Sequence, residues 1–287
     1  MLIYCQRLVF LLFLFSLKPV KAQQNIAEFF RSSEDSCMLY SKQLTTDLSD
    51  TEKININSKL SKLLKQLLTN PTSFDYPFDS LKTFGRLYAP DKSFRVITWN
   101  VTLNNSPYKY YGFIQVAKSS KVFELTDRSD EITNPENSVL SAGKWYGAFY
   151  YKILKEKVDN RTYYTLLALQ YHNLFITRKM IDILFFDEFG NPVFGAPIIQ
   201  VNNKMKHRLV FEYSARAAVN LNYDEKLKMI IFDHVAPAEP KYIGQFEYYG
   251  PDLTFDGLVF KKNVWVYTLN LDLRQPFEPA PKRKPLR

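Results

Sequence analysis

Asp233 and His234 stand side by side in Phe232-Asp233-His234-Val235-Ala236-Pro237, at the end of the apolar stretch Leu227–Phe232. Imidazole titrates near neutrality and a carboxylate raises its pKa, so such a pair suits general acid–base chemistry. Neighbouring residues on a strand point to opposite faces, so the two side chains meet only where the chain kinks. The competing expectation is a loop whose polar side chains bond backbone amides ahead of two prolines. A second candidate is the run from Tyr248 to Gly257, in which Asp252 and Asp256 could hold calcium with backbone carbonyls. Its Gly250-Pro251-Asp252 and Asp256-Gly257 steps also read as ordinary turn chemistry.

Aromatic residues supply the third candidate. Trp145 and Tyr146 lie close to Phe149, Tyr150 and Tyr151, and an exposed ring with a polar edge stacks well on sugars or peptides. Strand cores are also aromatic-rich, and Trp145, Phe149 and Tyr151 share a face with Ile153. No G-x-S-x-G, H-E-x-x-H or phosphate-loop pattern occurs, and His172, His207 and His234 are far apart in sequence. The expectation is therefore no metal site and no cofactor.

Positioning these groups falls to a mainly β fold behind an N-terminal helical segment. Ser49-Asp50-Thr51-Glu52 matches a capping box. Leu60, Leu63, Leu64, Leu67 and Leu68 then form one helical stripe, which Asn70-Pro71 ends. Ile26, Phe29 and Phe30 suggest an earlier, weaker helix. Both stripes need the β domain to cover them. From about Phe84 the period becomes two: Arg95, Ile97, Trp99, Val101 and Leu103 alternate with Phe94, Val96, Thr98 and Asn100. Alternation at His207, Leu209, Phe211 and Tyr213 against Arg208, Val210, Glu212 and Ser214 predicts one wet face. Trp145–Leu154 and Ile181–Phe186 are apolar on both sides and should be central. Hairpin-length connections predict an antiparallel meander of roughly a dozen strands, arranged as a sandwich, barrel or small propeller.

Residues 1–22 read as a cleavable export signal. Arg7 precedes the apolar run Leu8–Leu17, and Val20-Lys21-Ala22 offers a cleavage site before Gln23. That run is shorter than the ~20 residues of a membrane span, so no transmembrane segment is expected in the mature chain. The mature chain would keep Cys37 as its single thiol, with no disulfide. The divisions expected are a helical segment over 23–78, a β-rich domain over 79–273 and a basic proline-rich tail over 274–287. Net charge is +9, but three cations leave with the signal and Arg274, Lys282, Arg283, Lys284 and Arg287 crowd the tail. A nearly neutral body is not that of a nucleic-acid binder, which needs a basic stripe on its folded surface.

Seven segments carry a family resemblance: Pro77-Phe78-Asp79-Ser80-Leu81, Phe94-Arg95-Val96, Tyr110-Tyr111-Gly112-Phe113-Ile114, Trp145-Tyr146-Gly147, Phe211-Glu212-Tyr213-Ser214, Asp233–Pro237 and Tyr249-Gly250-Pro251-Asp252. On these the chain resembles a family of uncharacterised exported proteins of Gram-negative bacteria. The resemblance implies a periplasmic or secreted location and carries over no activity. The function expected is a non-enzymatic binding or scaffolding domain of the cell envelope, whose partner is an envelope protein or glycan. The alternative is an envelope hydrolase with its acid–base site at Asp233 and His234.

Overall fold

A computed structural model describes residues 26–104 and 108–273. The expected signal and tail lie outside the described residues. Helix α1 covers residues 26–43 and α2 runs Asp50–Leu68. The capping box forms as the sequence predicts: Ser49 N–H donates to Glu52 Oε2 at 2.9 Å, and Glu52 N–H donates to Ser49 Oγ at 3.3 Å. Asn70 then caps a short 3-10 turn, Pro71–Asp75.

Three open sheets follow, and none closes into a barrel. The first is a meander of β1 (Gly85–Tyr88), β2 (Phe94–Val101), β3 (Lys109–Val116) and β4 (Val122–Thr126). The second is built from β5 (Leu140–Ser141), β6 (Phe149–Val158), β7 (Arg161–Tyr171), β8 (Ile176–Phe186) and β9 (Pro192–Phe194), in the order β5-β9-β8-β7-β6. The third contains β10 (Ile199–Val201) and β11 (Lys204–Lys206). Beyond β12 (Arg208–Ser214), which returns to pair with β8, it continues with β13 (Leu221–Asp224), β14 (Met229–Pro237), β15 (Tyr249–Lys261) and β16 (Val264–Thr268). Its order is β11-β10-β16-β15-β14-β13. The described residues thus hold 16 strands, where about a dozen were expected, because two- and three-residue strands such as β5 and β10 carry no readable period. Among these strands pairing is antiparallel except between β10 and β16, and an isolated parallel bridge joins Asp127 to Trp145.

The layers stack as helices, first sheet, second sheet, third sheet, with a core at each junction. Ile97, Trp99 and Val101 of β2 face Leu60, Leu64 and Phe30 of the helices. Phe94 and Val96, one residue out of phase, face Leu166, Ala168 and Met180 of the second sheet. That sheet's other side sends Leu167, Ile181 and Ile183 against Ile230, Phe232, Leu258 and Trp265. A sheet covered on both faces needs apolar residues on both, which explains the two-sided apolar character of β6 and β8. β8 is central as expected, but β6 is not: it pairs only with β7 and ends the sheet, its faces covered by the neighbouring layers and not by further strands.

Charge is buried at two places, one of them against expectation. Arg95 heads the apolar row of β2 yet is buried, its guanidinium donating to Gln115 Oε1, Ser73 O and Tyr76 O, each at 2.7 Å. It thereby hooks the 3-10 turn onto the first sheet. The second is β12, where the expected wet face is absent. Arg208 is buried and donates to Asp182 Oδ1 at 3.0 Å, while Glu212 pairs with Arg178 at 2.7 Å. The polar half of that alternation is a ladder of charges turned into the protein, because β12, which pairs only with β8, is covered by the chain at 135–138, whose Pro135 and Ser138 carbonyls accept from Arg208.

Candidate functional site

The two segments that sequence treated as separate loops are the facing strands β14 and β15. Asp233 pairs in register with Phe255, and Val235 with Pro251, so His234 alone opposes Asp252, Leu253 and Thr254. This bulge breaks the strict alternation of faces. Leu253 sits at its tip with φ +71°, 90% exposed. A left-handed leucine is strained by about 1–3 kcal/mol.

The bulge does not bring Asp233 to His234. Asp233 Oδ2 accepts from the backbone N–H of Asn220 at 2.7 Å and from its side-chain amide at 3.3 Å, which pins the chain entering β13. His234 instead turns across the ladder, with Nδ1 at 2.7 Å from Asp256 Oδ2. Asp256 is fully buried; Tyr267 Oη donates to the same oxygen at 2.6 Å, and Asn270 N–H donates to Oδ1 at 3.0 Å. Burial, with the hydrogen bond and charge of Asp256 behind it, raises the Tyr267 pKa, so the phenol remains a donor. A carboxylate at Nδ1 selects the tautomer whose Nε2 carries the lone pair. The His234 side chain is 34% exposed.

Asp252 and Asp256 do not share a site. Asp252 Oδ1 accepts from Thr254 Oγ1 at 2.7 Å and Thr254 N–H at 3.0 Å, and the hydroxyl bond is the chief cause holding its carboxyl below the usual range. No group of three or more His, Cys, Asp or Glu side chains among the described residues is placed to hold a metal. Trp145 and Tyr146 are core residues: Trp145 Nε1 donates to Tyr150 Oη at 2.8 Å, and Tyr146 lies against the guanidinium groups of Arg178 and Arg208. They offer no face to a ligand.

A cluster of rings, with Tyr248 exposed and Tyr242 half-buried, sits instead on the excursion that joins β14 to β15. Pro237 pairs with Tyr249, and the chain between them makes two 3-10 turns, Pro240–Tyr242 and Phe246–Tyr248. Tyr242 and Tyr248 stack with centroids 4.2 Å apart and planes 18° apart. Lys241 Nζ lies 4.8 Å from the Tyr242 ring centroid. Gly244, at φ +84°, turns the chain between them and donates its N–H to Tyr249 Oη at 2.9 Å. Ile243 is 72% exposed at the turn. Sequence pointed to Tyr248-Tyr249 but not to Tyr242, since a stacked pair six residues apart has no period to betray it.

No family model matches this chain, and comparison with curated proteins and with solved structures finds no match. Among the described residues, no helix is long and apolar enough to cross a membrane.

Proposed function

We propose that this protein is an exported, non-enzymatic binding or scaffolding domain of the cell envelope, periplasmic or secreted. Its contact surface is the aromatic end of the β14–β15 pair. The observation that carries the reading is the Tyr242–Tyr248 stack, flanked by exposed Ile243 and Leu253 on one short stretch of chain. Stacked tyrosines offer flat apolar area with polar edges at little conformational cost, which suits an envelope protein or a glycan. The likeness to exported Gram-negative proteins at Tyr249-Gly250-Pro251-Asp252 falls on the same strand.

Export has its own test. Mass spectrometry of the folded protein from its native host is expected to find the N-terminus at or near Gln23, and an intact Met1 would refute export. For binding, purified protein should co-sediment with the insoluble envelope fraction. Replacing both Tyr242 and Tyr248 by alanine should reduce the bound fraction about tenfold, as loss of paired aromatic anchors does. Protease treatment of that fraction abolishes binding if the partner is protein and spares it if the partner is glycan. Retention by the double variant equal to wild type would rule out this surface.

A second reading, an envelope hydrolase, draws on the 2.7 Å contact between His234 and Asp256. Asp256 takes the orienting role that sequence had assigned to Asp233, and Nε2 of His234 is the atom that would move a proton. A His234→Ala variant separates the readings: binding survives it under the first, and turnover is lost under the second.

A further inference from the structure

At the opposite end of the layer stack, between the helices and the first sheet, lies a cavity of about 420 Å³. Its inner end is closed by the buried rings of Phe84 and Trp99, which stack at 5.0 Å and 27°. Its rim carries hydroxyls, including Ser41 Oγ and Thr83 Oγ1, 3.0 Å apart and bonded to each other across the junction. Into the same space projects Lys53 from the first turns of α2. Lys53 is only 8% exposed, and its Nζ donates to the carbonyl of Thr102 at 3.1 Å. Among the described residues no carboxylate pairs with it.

An ammonium has three N–H donors, and one carbonyl satisfies one of them. A buried cation without a counter-ion is costly, whereas the same cation beside a carboxylate gains a charge-assisted hydrogen bond. The cavity volume falls within the usual range for small-ligand sites, about 300–1,000 Å³. A ligand matched to these features carries one carboxylate for Lys53, several hydroxyls for Ser41 and Thr83, and a compact frame that fits the cavity. We propose that this cavity is a binding site for a sugar acid of the hexuronate type. The site depends neither on export nor on the tyrosine stack, from which it is separated by the intervening sheets.

The test is an NMR titration of the full chain with D-glucuronate, D-glucose, acetate and inorganic phosphate. D-glucuronate should saturate a site whose shifts centre on the Trp99 indole and the amides of Ser41, Lys53 and Thr83. D-glucose and acetate, each lacking one half of the recognition, should bind about tenfold or more weakly. Lys53→Met should cost D-glucuronate binding about tenfold while leaving D-glucose unchanged. Thr83→Val, which leaves the ammonium in place, should weaken D-glucuronate but not acetate, and it keeps the proposal testable if Lys53→Met fails to fold. Absence of D-glucuronate binding, shifts centred elsewhere, or equal binding of D-glucose, acetate or phosphate would overturn the assignment.

Discussion

Replacing Arg208 by leucine is expected to lower the unfolding free energy by about 3–5 kcal/mol, the cost of leaving one member of a buried ion pair alone. The guanidinium is fully buried and donates through Nε to Asp182 Oδ1 at 3.0 Å and through Nη1 to the carbonyls of Pro135 and Ser138. Asp182 is buried with it and has two further donors, the Ile183 N–H at 2.9 Å and Tyr150 Oη at 3.5 Å. Burial drives the Asp182 pKa up, and Arg208 is the chief influence pulling it down. Without the arginine, the carboxylate either stays charged in an apolar layer or takes up a proton, and both routes lose stability. Chemical denaturation measures the loss. The double variant Asp182→Leu with Arg208→Met should recover most of it, because an apolar pair carries no desolvation penalty. A single variant within 1 kcal/mol of wild type would show that the pair contributes nothing to holding β12 against β8.

A second large effect is expected at Glu156, and it depends on pH. Glu156 lies on β6 between the second and third sheets, 8% exposed, where Thr165 Oγ1 donates to Oε2 at 2.8 Å and in turn accepts from Trp265 Nε1 at 2.9 Å. No cation stands among the causes that set its titration, and burial raises its pKa from 4.5 to about 7. Below the unfolded value both states carry the proton, so the group costs nothing. Between 4.5 and about 7 the unfolded chain ionises while the folded one holds its proton, so stability falls as pH rises through that window. The full penalty, reached above it, is about 3 kcal/mol. Glu156→Gln should therefore match wild type at pH 4 and exceed it at pH 8 by roughly that amount. Equal stability of the two proteins at pH 8 would mean that the carboxyl is solvated or paired in the folded state.

These buried charges mark the boundary between what the chain declares locally and what packing decides. The capping box at Ser49, the leucine stripe of α2 and the two-sided alternation of β2 were all legible, because each is a relation among residues a few positions apart. The central place of β8 could be read too, since a strand covered on both faces has few places for polar residues; the same reasoning misplaced β6, which pairs only with β7 at the sheet's edge and owes its apolar positions to the layers on either side. The charges of β12 were misread for the same reason: a polar residue every second position looks wet until a partner is known. Nothing near Arg208 in sequence announces Asp182 on the neighbouring strand.

The His234 site divides in the same way. Sequence alone singled out His234 and Asp256, each for its chemistry, and placed them in different loops. Their meeting needed the register of β14 on β15 and the bulge that sets three residues against one. It also needed Tyr267 and Asn270, brought to the same carboxylate from β16 and the chain just beyond it. Residue types and short spacings determine which segments become helix or strand and which side chains are able to do chemistry. Only the tertiary structure decided which of them share a hydrogen bond, because strand register and layer order come from burying faces contributed by distant parts of the chain.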